Sequence, residues 1–219
     1  MKTLHFLTLL VICFIPLKGF SQNFSHKEVY DSDFVFSDGV YLTKDDFIKN
    51  HPIDKSRINS DLDPDDLTYL EQVMSKRKFS YFNSLGSEVM VDVASVFGYC
   101  SSGTLYVNHN DFFSRVGLVG SICHFVGQKT VFTDIPAGMG YFGPAYTRTV
   151  STEMQQYFLV FSTGEILEYN ASNLEKIIQD DKELSKEYKE LSKRKKNSRL
   201  FYYMRKYNER HPLYIPVYE

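Results

Sequence analysis

The sequence predicts an α+β fold, a curled antiparallel β-sheet with short helices before it and a helical tail after it, and three observations carry that prediction. Between Phe79 and Tyr169, short β-branched and aromatic runs alternate with turn residues at hairpin spacing. The longest run, 112–126, is interrupted by Gly117 and Gly120, which suits a strand that bends and a sheet that curls toward a small barrel. From Ser172 onward the apolar spacing changes from the strand period to the helical one.

Residues 1–21 stand apart from that fold. Lys2 precedes an apolar run from Leu4 to Leu17, and Gly19 and Ser21 place small residues at −3 and −1. This is the pattern of a secretory signal peptide cleaved near Ser21. The run, about 14 residues, falls short of the roughly 20 needed to span a bilayer, so no transmembrane anchor is expected. Residues 22–171 then form the mainly β domain with its short N-terminal helices. Residues 172–219 form a helical tail packed on the same domain.

Gln22 to Asp38 reads as an extended lead-in and Val40–Leu42 as a short strand. Thr43 caps a one- to two-turn helix whose first turn holds Asp45 and Asp46, where carboxylates suit the helix dipole; Pro52 stops it. Asp63-Pro64-Asp65-Asp66 predicts the start of a second helix, carried by Leu67, Leu70, Val73 and Met74. Hairpins follow around Leu85-Gly86-Ser87 and Ser101-Ser102-Gly103. Residues 112–126 are expected to form one long bent strand, and 134–152, rich in glycine and aromatics, a long loop. A last hairpin turns at Ser162-Thr163-Gly164. The tail shows three stripes, Leu174/Ile177/Ile178, Leu184/Tyr188/Leu191 and Leu200/Tyr203/Met204/Tyr207, before an extended segment at 213–218 that docks on the body.

Charge is uneven. From 22 to 171, 11 Lys and Arg face 19 Asp and Glu, whereas from 172 onward 12 face 8. An acidic sheet domain with a solvated helical tail accounts for this, and neither nucleic acid nor a lipid surface is expected as a partner. The basic run Lys193–Lys196 reads as a solvated helix junction. Aromatic content comes from 18 Phe and 16 Tyr, with no Trp.

Several patterns touch on chemistry. Gly138-Met139-Gly140-Tyr141-Phe142-Gly143 fits the letters of the dinucleotide fingerprint, but Pro144 follows and no helical pattern comes next, so no nucleotide cofactor is expected. Asp61, Asp63 and Asp65 lack the glycine and glutamate of a calcium loop; helix capping explains them, and no metal is expected. Cys123 and His124 are strand neighbours and point to opposite faces, so they form no dyad. His109 and Asp111, or His124, would be the acid–base groups of a hydrolase. A glycan or small ligand would instead use Tyr99, Tyr106, Tyr141, Phe142 and Tyr146, grouped by the 134–152 loop. An oxidising compartment permits a disulfide between Cys100 and Cys123, but both sit in apolar runs, where a buried free cysteine behaves as a small hydrophobe, and free thiols are the expected state.

The signal segment ending in FSQ, the stretch DGVYLTKDDFIKNHP, the pair VFGYCSSGTLYVN and FSRVGLVGSICHF, and the ending KYNERHP resemble uncharacterised secreted proteins of Bacteroidota. That resemblance implies an envelope location and lends no site residues. The expectation is an exported, non-catalytic envelope protein, a binding or structural module without cofactors, whose partner is an envelope protein or a glycan.

Overall fold

The computed structural model of the protein describes residues 26–140 and 143–217, so the signal segment, Tyr141 and Phe142 lie outside the described residues. The chain opens with β1 (His26–Val29), a lead-in, β2 (Gly39–Tyr41) and α1 (Lys44–Ile48). Thr43 closes a capping box with Asp46, accepting from its backbone N–H while Asp46 accepts from that of Thr43. Gly39 is obligatory: its φ is +140° and a Cβ there would stand 2.2 Å from the Ile53 carbonyl oxygen.

Next come β3 (Ile58–Asn59), α2 (Tyr69–Met74), β4 (Lys78–Phe82) and β5 (Glu88–Asp92). Helix α2 starts at Tyr69 rather than at the Asp63-Pro64 signal. Asp63 and Asp66 instead bind the backbone N–H groups of Asp65 and Thr68, holding turns that compete with helix. Strands β3, β4 and β5 form a small sheet of their own.

The main sheet has seven antiparallel strands in the order β11-β10-β9-β8-β7-β6-β2, curled into a half-barrel. Its remaining members are β6 (Gly98–Ser101), β7 (Thr104–His109), β8 (Phe112–Leu118), β9 (Ile122–Gly140), β10 (Gly143–Val160) and β11 (Glu165–Glu168). Two expectations are corrected here. The run 112–126 is two strands, because the chain turns at Val119–Ser121, where the Ser121 hydroxyl donates to the His211 carbonyl at 2.7 Å. Residues 134–152 are not a loop but the outer part of the β9–β10 hairpin, paired from Lys129↔Glu153 to Gly140↔Gly143.

The tail contributes α3 (Ala171–Ile177), α4 (Lys182–Lys189), α5 (Lys193–Ser198), α6 (Leu200–Arg210) and β12 (Tyr214–Val217), which pairs with β1. Alternation along the strands sorts the apolar residues into three clusters. Cys123, Phe125, Tyr157 and Leu159 face one side of the sheet, with Tyr41, Phe47 and Phe161. Ile122 and Phe158 face the other, where Leu174, Leu184, Tyr203 and Met204 of the tail cover them. Val40 and Tyr99 meet α2 and the small sheet through Leu70, Val73 and Phe79. Asn208 of α6 pins the tail to β9 by accepting from Ile122 N and donating to Ile122 O, both at 2.8 Å.

Cys100 and Cys123 are free, buried thiols. They lie on β6 and β9, with β7 and β8 between them. Three strand spacings amount to roughly 14 Å along a sheet, far beyond the Cα separation of about 6 Å that a disulfide tolerates.

Candidate functional site

The most unusual feature is the outer β9–β10 hairpin, residues 131–154. Strand β8 pairs with β9 at His124 and Phe125, and β11 pairs with β10 only over 157–160. Beyond those points, among the described residues, no third strand pairs with either outer edge. At about 3.3 Å per residue the ribbon reaches roughly 30 Å from the body.

Both of its faces meet water. Phe132 pairs with Val150 and Pro136 with Tyr146, which places these four side chains on one face with Met154. Phe132 and Tyr146 are each 63% exposed, Val150 is 62% and Met154 is 68%. Of the three charged residues on the arm, Asp134 and Arg148 pair with each other and Glu153 near the root leaves a net charge of −1. The Arg148 guanidinium donates to both oxygens of Asp134, at 2.8 and 3.1 Å, and Lys129 at the root pairs with Glu168 at 2.9 Å. From Ile135 to Thr147 the sequence holds no charged residue. The register shifts at Ala145/Tyr146, where Gly138 takes a φ of +103° and one extra residue on β9 kinks the ribbon. The glycines of the fingerprint-like run therefore serve a hairpin end, not a strand-to-helix turn.

At the root of the arm a cleft of about 550 Å³ is bounded by His109, Asn110, Asp111, Lys129, Tyr157 and Glu168. Asn110 and Asp111 form the β7–β8 turn with φ of 55° and 65°, left-handed values that these two residue types accept readily. The His109 ring lies edge-on to Tyr157, 4.4 Å between centroids, and burial holds its imidazole below the ordinary value. His109 is therefore neutral at neutral pH.

The other sequence candidates are dispersed. Tyr99 is buried and stacks on Tyr106 at 4.6 Å, with Phe113 edge-on, so this pair belongs to the core beneath the small sheet. Tyr146 stands on the arm, away from that core. His124 bonds Gln156 at 2.9 Å and meets Tyr169 and Phe201, while Cys123 faces the opposite side of β9. Burial pushes the Cys123 thiol up to about 12 and raises Cys100 as well, so both are protonated and poor nucleophiles. Among the described residues, no group of three or more His, Cys, Asp or Glu is placed to hold a metal ion. The arm itself was missed by sequence reading; the signal that could have found it is the β-rich pair VFT and TRTVST flanking an uncharged turn.

Fold and site define an α+β domain, a seven-stranded half-barrel that carries a long exposed hairpin arm and a helical tail. The model of a family of unknown function, DUF6563, matches residues 39–211, and the chain belongs to that family. The matched span includes the arm and the root cleft and leaves out β1 and β12. No curated protein and no solved structure matches the chain.

Proposed function

We propose that this protein is an exported, non-catalytic module of the cell envelope that binds a protein partner through the β9–β10 arm. The observation that carries the proposal is a ribbon with two open edges and a stripe of exposed Phe132, Tyr146, Val150 and Met154. An open edge offers unpaired backbone N–H and C=O groups to an incoming strand. A two-stranded ribbon is only marginally stable in water, and a third strand or an apolar cover would complete it. The signal-type N-terminus supports export, and the burial of both protonated thiols in the core, away from the cleft that holds His109 and Asp111, supports a non-catalytic role.

The test shortens the arm by joining Thr130 to Thr152 through Asn-Gly, a turn that suits the paired strands at that point. Partner capture from an envelope extract and hydrogen exchange are then measured with both forms. The expected result is a folded short form that loses the partner, and arm amides in the intact protein that become protected on capture. A partner retained equally by the short form, or capture without protection of 131–154, overturns the proposal.

A further inference from the structure

We infer that the cleft between α3, α4 and α5 binds a compact polyanion bearing phosphate or sulfate esters. This cleft, about 770 Å³, is a different surface from the arm and needs nothing from it. Four lysines line it, Lys176 from α3, Lys189 from α4, and Lys193 and Lys196 from α5, against one carboxylate, Glu175. The surplus of three positive charges sits on a chain whose net charge is −2.

The four ammonium groups differ in how they are held. Lys196 is fixed: its Nζ donates to Glu175 at 2.7 Å and lies 5.4 Å from the centre of the buried Tyr188 ring. The Tyr188 hydroxyl in turn donates to the Lys196 carbonyl at 3.4 Å. Lys176, Lys189 and Lys193 make no ion pair among the described residues. Lys193 and Lys196 are three apart on one short helix, a spacing at which like charges repel. A concave surface lined by one sign of charge concentrates counter-ions. Lysine presents a point charge on a flexible stem rather than a planar fork, so the site selects for charge density more than for ligand shape. Ser172 and Asn197 at the rim add hydrogen-bonding side chains. An anion spanning Lys176, Lys189 and Lys193 would relieve their mutual repulsion without breaking the Lys196–Glu175 pair.

The experiment titrates the full chain with inositol hexakisphosphate, and separately with phosphatidylglycerol vesicles, by calorimetry and co-sedimentation. The expected result is saturable binding that weakens as salt rises. Lys176→Gln or Lys193→Gln each lowers affinity about three- to fivefold, the scale of one exposed ion pair. Glu175→Gln raises affinity, and Lys55→Gln, far away on the sequence and outside the cleft, changes nothing. Binding of the soluble probe with this ranking assigns a free phosphorylated ligand, and vesicle binding with the same ranking assigns a headgroup. No saturable binding to either, or losses no larger for the cleft lysines than for Lys55→Gln, overturns the inference.

Discussion

Asp181 joins the tail to itself. Its side chain caps α4 by accepting from Leu184 N at 3.0 Å, receives two bonds from Arg210, and meets His211 Nε2 at 3.1 Å. The Arg210 guanidinium, and then the Leu184 N–H, hold the Asp181 carboxyl well below the usual carboxylate range. Because the folded value lies below the unfolded value of about 3.9, the stabilisation is fully present above about pH 5 and fades as pH falls below that. Asp181→Asn is expected to cost about 2 kcal/mol at neutral pH, from the lost cap and charge-assisted bonds. The same variant should show a shallower loss of Tm between neutral and acid pH, which thermal melts across that range would check. Nothing local in the sequence shows the pairing of Asp181 with Arg210, 29 residues on, because only the fold of α4 against α6 brings them together. The cysteines make a second prediction at this scale. With both thiols buried and protonated, neither should react with a thiol reagent at pH 8 until the protein unfolds. Intact mass should be unchanged by reduction.

Among the elements, the start of α1 was legible from its cap and acidic first turn, although the helix ends at Ile48, with Asn50 at a φ of 48°, before Pro52 is reached. The place of α1 in the core was not legible. Phe47 is completely buried, and its ring lies 4.9 Å from Phe161, 5.2 Å from Phe97 and 5.5 Å from Tyr41. Phe47→Ala is expected to cost about 3–5 kcal/mol in denaturant unfolding, from lost burial and the cavity left behind. The turn that ends β8 shows why one strand was read where two exist. Gly117 lies within β8 at a register shift, the bulge its place in the strand pattern suggests, whereas Gly120 lies in the turn itself, whose size depends on α6. A Cβ at Gly120 would stand 2.4 Å from the Asn208 side-chain nitrogen, the group that pins the tail to β9. Gly120→Ala should therefore loosen α6, read as faster hydrogen exchange at Ile122 and over 203–208. The arm was misread because glycine, proline and aromatics are loop signals by composition. Pro136 and Pro144 remain compatible with strands here because, among the described residues, no third strand pairs with either outer edge.

At the level of the whole molecule, hairpin spacing and the switch to helical period were enough to reveal the α+β class and the order of its parts. What the sequence withheld is how the two faces of one curled sheet are divided. Helices α3, α4 and α6 cover the face of β9 and β10 that carries Ile122 and Phe158, and the small sheet with α2 covers Val40 and Tyr99. That division leaves the described residues of 131–154 exposed apart from the half-buried Val131, and this ribbon is the basis for reading the protein as a binding module. The most direct measurement places a photo-crosslinking residue at Phe132 or Val150 on the arm, and at Lys55 on the body, in producing cells. The account predicts one discrete protein adduct from both arm positions and none from Lys55. Adducts of equal yield from all three positions, or none from the arm, would contradict it.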